Sequence, residues 1–487
     1  MSKFINSKEA ITSSLLLWQD KPTQVSVEDT YDIKVWPTTN IFNDGPIIFV
    51  IPPQPNGMLT RLNIVTKFKV NIPGNSDVKE NLSIINNVGN AMWGLVEIKL
   101  DDRIDLMQSM RNSYAYQTYF NTCLNTESNH QDYLYASELF QMDEAVDKED
   151  SEDSTMLKIT DIGDDDDETD LQTFDFKSMG TFGIRRALKK FRAGETNQKI
   201  EFVAKNQGSL LRSLRINKGQ SVTTTTRLQC PLFTTEKCLP TKMKIRVLLS
   251  KNSDQFLLLA DDDTNCEVVI EDVYLDVTYY RPRDVVLQMI EEQLKNQPAP
   301  YFVSKPEIIL KPITGAKRII RVTDIFHEKL PSYAFFCLQN SIDFEGKFST
   351  NPFAFIPFGK FQIHLNGVPH FVDPLETKFE IENNKKIYLE NAAFIQQLYT
   401  TIGKDLKGDC LINSNNFQLN FVVGVTFTAD RSSTMDGYLN LQETADSYVV
   451  IDMGYDTNIP DDMVLVVYAL YDRQIQIDVN RSVRIIE

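Results

Sequence analysis

A chain of 487 residues exceeds what one hydrophobic core comfortably serves, which points to two domains of about 200 residues each. Its 42% hydrophobic and 24% charged residues exclude a disordered chain, and 29 Phe with 18 Tyr favour packed sheets over long polar helices. The formal net charge of −17 excludes a dedicated nucleic-acid binder, but residues 143–170 alone hold 14 acidic residues and two lysines, leaving about −5 for all the rest.

Residues 1–25 read as a polar N-terminal arm. The apolar run at 15–18 is too short for a signal sequence, and no other run approaches the ~20 residues of a membrane span. The expectation is a protein made and kept on the cytosolic or nuclear side, with the sequons at Asn81 and Asn480 unused. Strand patterns begin at 33–36 and 47–51. Over 62–70, Ile64, Thr66, Phe68 and Val70 fall on one face by period-two spacing. A further strand over 93–100 ends at Asp101-Asp102, a hairpin turn. A helix follows over 113–124, with Tyr116, Tyr119, Phe120, Cys123 and Leu124 forming one apolar stripe.

The acidic stretch 143–170 is expected to be a long loop inserted between strands. The run Arg185, Arg186, Lys189, Lys190 and Arg192 then reverses the charge; it suits either phosphate contact or neutralisation of the acidic loop. Strands return at 242–249 and 266–280, where Val269, Val273, Leu275, Val277 and Tyr279 share a parity and hence a face. Asp284 is placed to cap a helix reaching about 295, with Val286, Met289, Ile290 and Leu294 on one side, and the Pro298-Ala299-Pro300 segment stops it. This region, 283–300, divides a first unit, 26–282, from a second, 301–487.

The second unit shows strand patterns at 306–310, 317–322, 333–340, 360–365, 378–381, 416–428, 448–452, 463–471 and 474–479, with a helix over 391–402. Strand, polar turn and helix recur in the same order at 93–124 and 358–402, Asp101-Asp102 in one answering Asn366-Gly367 in the other. Each half also closes on a matched pair of strands, at 243–250 with 273–280 and at 448–455 with 463–470. The fold class is therefore all-β with short helices in loops: two tandem modules, each a β-sandwich or jelly roll.

Catalytic chemistry finds no support. His130, His327, His364 and His370 show no metal-ligand spacing, and nucleophile elbows and phosphate-binding loops are missing. Cys123, Cys230, Cys238, Cys266, Cys337 and Cys410 form no CxxC pair and read as buried free thiols in a reducing compartment. No catalytic, cofactor or metal residues are assigned, and no enzyme activity is expected.

Several segments resemble a known family. Gly94-Leu95-Val96-Glu97-Ile98-Lys99-Leu100-Asp101-Asp102 followed by Asn112-Ser113-Tyr114-Ala115-Tyr116-Gln117-Thr118-Tyr119 is similar to the hexon-like major capsid proteins of Polinton/Maverick elements and adintoviruses. Arg227-Leu228, Pro231-Leu232-Phe233, residues 243–248, Asp254-Gln255-Phe256, Asn351-Pro352-Phe353, residues 361–367, residues 471–478 and Asn480-Arg481 continue the resemblance in order from about residue 60 to the end. The acidic insertion departs from the pattern. The resemblance implies two tandem eight-stranded jelly-roll β-sandwiches, a double jelly roll, whose homotrimers form pseudo-hexagonal capsomers of an icosahedral virion capsid. It also implies neighbouring capsomers and a penton or minor capsid protein as partners, and enclosed double-stranded DNA that is not specifically recognised. The basic run 185–192 would then be an inner-face, DNA-proximal cluster. The alternatives are a lectin-like tandem sandwich that binds without catalysis, and a minor or vertex capsid protein.

Overall fold

The computed structural model describes residues 23–41, 45–71, 82–101, 104–110, 112–143, 157–161, 198–202, 207–216, 219–260, 266–326, 329–348, 350–382, 385–404, 408–414, 416–417, 419–429, 443–454 and 459–486. Eight strands build the first sandwich: β1 (Val27–Val35), β2 (Ile47–Ile51), β3 (Met58–Asn71), β4 (Trp93–Leu100), β5 (Ile104–Gln108), β6 (Val222–Arg227), β7 (Ile245–Lys251) and β8 (Glu267–Pro282). Eight more build the second: β9 (Ala299–Thr314), β10 (Ile319–Thr323), β11 (Tyr333–Asn340), β12 (Lys360–Leu365), β13 (Val368–Pro369), β14 (Val423–Thr426), β15 (Ser447–Asp452) and β16 (Asp462–Ile477).

The sheets of the first sandwich run β1-β8-β3-β6 and β2-β7-β4-β5; those of the second run β9-β16-β11-β14 and β10-β15-β12-β13, each with one further short strand, Val483–Ile486 beside β16 and Leu375–Glu376 beside β12. Adding eight to each number of the first pair gives the second, so the two halves have one topology. The pairings are antiparallel. In each half the seventh and eighth strands, which look matched in the sequence, lie in opposite sheets. Alternation sets the inner faces: Ile64, Thr66, Phe68 and Val70 of β3 are buried, as are Phe49 and Ile51 of β2.

Helix α1 (Ser113–Asn125) follows β5 and is itself followed by α2 (Gln131–Glu138) and α3 (Gln207–Ile216); α4 (Asp284–Asn296) joins the sandwiches, and α5 (Ala392–Thr401) lies between β13 and β14. Asn366 and Gly367, at φ 50° and 80°, form the tight turn between β12 and β13.

Four expectations need correction. Val269 does not share the face of Val273, Leu275, Val277 and Tyr279; Val268 and Ile270 are the buried residues there. The register with β3 shifts between Ile270 and Asp272, so a bulge at Glu271 inverts the alternation. Residues 463–471 and 474–479 belong largely to one strand, β16, which exchanges neighbours along its length: β11 pairs Met463–Leu470 and Val483–Ile486 pairs Gln474–Ile477. Among the described residues of 416–428, Val423–Thr426 alone is strand, because Asn416 instead hydrogen-bonds the Leu411 carbonyl and the Asn413 backbone in a local turn. Arg283, not Asp284, occupies the cap position of α4, and Met289 points to solvent.

The acidic stretch also divides. Asp143 is buried, residues Leu157–Asp161 pair with Gln198–Phe202, and the stretches 144–156 and 162–170 lie outside the described residues. The basic run 185–192 and His327 lie outside them too, as do residues 1–22 of the arm.

Candidate functional site: the seam between the sandwiches

With no catalytic cluster legible, the arrangement that distinguishes this chain is how its two sandwiches are joined. A single apolar core runs through both. Helix α1 is its bridge. The stripe Tyr116, Tyr119, Phe120, Cys123 and Leu124 is buried, but against the other sandwich as much as its own. Tyr119 stacks on Phe353 with ring centroids 4.2 Å apart and planes within 4°. Tyr116 stacks on Phe344 at 4.9 Å, and Phe120 on both Phe355 and Tyr468 at 5.5 Å. Aromatic pairs add about 0.5–1.5 kcal/mol each beyond the area they bury.

The hydroxyls of these tyrosines are satisfied across the seam. Tyr116 donates to the Pro352 carbonyl at 2.8 Å and sits 3.1 Å from Gln339 Oε1; Tyr119 donates to Asn420 Oδ1. Burial pushes both phenols well above their ordinary range, so they remain neutral donors. Asn112 Nδ2 reaches the Phe344 carbonyl at 3.1 Å, and the Leu411 amide donates to the Cys123 carbonyl at 3.0 Å.

Beside α1 lies a buried ion pair that nothing in the sequence announced. Arg212 of α3 is fully buried and donates to Asp143 Oδ1 at 2.7 Å, to the Gln141 carbonyl at 2.7 Å and to the Ile84 carbonyl at 2.9 Å. The other Asp143 oxygen accepts from Asn351 Nδ2 of the second sandwich at 2.9 Å. Asp143 and α3 flank the 144–206 insertion, and a Cβ on Gly208 would sit 2.4 Å from the Met142 carbonyl oxygen. The two ends of the insertion therefore touch, and the Arg212–Asp143 pair fastens them to each other and to the neighbouring sandwich.

A second fastening holds α4. Arg481 donates to Glu291 and to the Thr241 carbonyl at 2.7 Å, joining the C-terminal segment, α4 and the β6–β7 connection. Burial opposes the charge of Glu291, but hydrogen bonding to Arg481 prevails and holds its carboxyl below the ordinary range. Nearby, Tyr301 donates to the Cys238 carbonyl at 2.8 Å. A cleft of about 560 Å³ opens between α1 and β9, lined by Gln117, Asn121, Tyr301 and Phe302.

The remaining candidates stay apart from the seam. His364 stacks on Tyr448 at 4.4 Å, with the Arg321 guanidinium over the same ring at 4.1 Å; partial burial and that cation lower the His364 pKa. His370 packs by Phe371 and Phe427, and His130 precedes α2. Among the described residues no three His, Cys, Asp or Glu side chains gather as a metal site would require, and no helix is long and apolar enough to cross a membrane. All six cysteines are free; five are buried and Cys238 is partly buried.

Solved structures show the same architecture over nearly the whole chain. The mavirus major capsid protein superposes with a TM-score of 0.51 and 10% identity, covering 100% of this chain and 96% of its own. The Faustovirus major capsid protein gives 0.54 and 7% identity over 96% and 93%, and the PBCV-1 virus capsid 0.53 and 9% over 96% and 99%. The fold is a double jelly roll. Its first jelly roll holds β1–β8 and its second β9–β16. No model of a known protein family matches the chain. An uncharacterised Caenorhabditis elegans protein, F54H12.2, is 22% identical over 265 residues, which is 52% of this chain and only 60% of that relative.

Several sequence segments that carried the resemblance lie along the join of the double jelly roll. Asn351-Pro352-Phe353 supplies the Asp143 donor, the Tyr116 acceptor and the Tyr119 stacking partner; Phe256 packs edge-on to Tyr116 and Phe353; Arg481 holds α4.

Proposed function

We propose that this chain is the major capsid protein of a double-stranded DNA virus or virus-like mobile element, of the Polinton/Maverick and adintovirus type, and that it acts structurally and not as an enzyme. The observation that carries the reading is the pair of jelly rolls with one strand order, locked by one core into a rigid two-lobed unit. Three such units in a ring present six similar lobes, so a three-fold oligomer can occupy a six-coordinated lattice position. Each contact in the ring is heterologous and the rotation closes. The capsid proteins of similar fold support the assignment, as does the sequence resemblance spread over both halves.

In this reading the trimers tile an icosahedral shell with a penton or minor capsid protein at its vertices, and the shell encloses DNA without reading its sequence. The basic run Arg185, Arg186, Lys189, Lys190 and Arg192 is the proposed DNA-proximal cluster; neutralising it should reduce packaged DNA while leaving capsomers intact. Light scattering on the purified chain should give a mass about three times 55.8 kDa, and electron micrographs should show pseudo-hexagonal particles. A monomer at every concentration would overturn the proposal.

A further inference from the structure

The strand repeat leaves one half of the seam spare at each end of the unit. Within the chain β5 faces β9: Leu106 and Met107 of the one and Lys305–Ile308 of the other line a cavity of about 330 Å³. Adding eight to β5 gives β13, and taking eight from β9 gives β1; both stand at sheet edges. β13 of one copy can therefore meet β1 of the next as β5 meets β9, a heterologous contact that closes into a ring.

The registers align the two pairs. Val35 of β1 pairs with Leu275, seven residues before the end of β8, and Pro306 of β9 pairs with Leu470, seven residues before the end of β16. Trp36 thus stands where Glu307 stands in the seam. Val368 pairs with Leu365 across the β12–β13 turn as Ile104 pairs with Leu100 across the β4–β5 turn, which sets Val372 near the level of Ser109.

At these places the surface is apolar. Trp36 is 54% exposed, Val368 65% and Val372 98%. Tryptophan is the residue type most enriched at the energetic centres of interfaces, and a valine this exposed gains from cover. The flanking charges are complementary. Lys34 lies over the Tyr274 ring, against which Trp36 also packs, and exposed Asp373 follows Val372. Among the described residues neither charge is in an ion pair.

We propose that Trp36 and Lys34 of one copy dock on the Val368–Asp373 segment of the next. The contact rests on the trimer reading and assigns its subunit interface. It repeats the placement of the β5–β9 contact without the aromatic stack that α1 adds inside the chain.

Cysteine cross-linking of the full chain tests it. In a Cys238→Ser background, Trp36→Cys with Val372→Cys should give linked pairs and triples of chains on non-reducing gels after mild oxidation. Peptide mass spectrometry identifies the link between positions 36 and 372, and light scattering reports the oligomer independently. Trimers without that link, or the link within a single chain, would overturn this contact and leave the trimer reading standing; monomers at every concentration would overturn both. As a second readout, Lys34→Glu should raise by at least about tenfold the protein concentration at which trimers are half dissociated in sub-denaturing urea. Adding Asp373→Lys should bring it back to within about threefold of the parent. A double variant no tighter than the single one would overturn the proposal.

Discussion

Replacing Arg212 with methionine should be among the most damaging single substitutions in the chain. Methionine keeps much of the stem's apolar volume, so the change isolates the guanidinium. In its absence the buried Asp143 carboxylate keeps, among the described residues, Asn351 as its side-chain donor, and the Ile84 and Gln141 carbonyls lose their bonds to Arg212. Removing one partner of a buried ion pair costs about 3–5 kcal/mol, because the remaining charge is left uncompensated. Arg212→Lys should be poorly tolerated too, since a point charge with a flexible stem cannot serve three acceptors in fixed directions. The companion variant Arg212→Met with Asp143→Leu removes both charges, and it should recover to within about 1–2 kcal/mol of the parent. Urea unfolding, followed through the near-ultraviolet signal of the buried Trp93, reads all three. A cost below about 1 kcal/mol for Arg212→Met, or a double variant as unstable as the single one, would refute the reasoning.

Three further outcomes are expected. Burial raises the Glu138 carboxyl to about 7 from its ordinary 4.5, so between those values the folded chain holds a proton that the unfolded chain releases. Stability should therefore fall as pH rises from 4.5 to 7 and then level off. The total is about 3 kcal/mol, and Glu138→Gln should abolish that slope when unfolding midpoints at pH 5 and 8 are compared. Gly346→Ala places a side chain at φ 89° and a Cβ 2.7 Å from the Phe256 Cα; a loss of about 1–3 kcal/mol should appear in thermal melts, and an unchanged melt would contradict it. Tyr119→Phe leaves Asn420 Oδ1 without that donor and should cost about 1–3 kcal/mol. A double-mutant cycle with Phe353→Leu should return a coupling of about 0.5–1.5 kcal/mol across the seam, and additive losses would show that the stacking does not join the halves.

The strands that could be located from sequence are those with the same environment along their whole length. The pattern places β2, β11 and β12 to the residue, as each is a short run with turn residues at its ends. β16 looked like two strands because its pattern breaks near Asp472 and Arg473, where β11 ends as its partner and Val483–Ile486 takes over. Parity along 266–280 puts Val269 on the wrong face because one extra residue, Glu271, inverts the alternation; that glutamate instead pairs with Lys67 and Lys69 on the outer surface. The seam was the least legible part. Arg212 sits in a short stretch with no periodic signal that marks it as buried, and its partners come from two distant segments, around Ile84 and at Gln141–Asp143. The Tyr116–Leu124 stripe was visible as an apolar face, but not which sandwich it would face.

The two halves echo one another in topology, and their departures from the echo are informative. Between the fifth and sixth strands of each jelly roll lies a helix: α1 in the first and, after the hairpin Lys378–Glu382 with Lys385–Glu390, α5 in the second. Phe394 of α5 packs on Phe358 and Phe421, so this helix closes its own sandwich. α1 instead sends Tyr116, Tyr119 and Phe120 into its neighbour. Equivalent positions have thus been given unequal tasks, and only one of the two helices welds the pair. Two identical lobes would leave the unit free to associate lobe by lobe, with no distinction between contacts inside and between chains. With one lobe reaching across and the other closed on itself, the contact within the chain is unlike any contact either lobe can make with a second copy. In the proposed trimer the six lobes would then alternate between two kinds around the ring, while the hexagonal outline follows from the shared strand order.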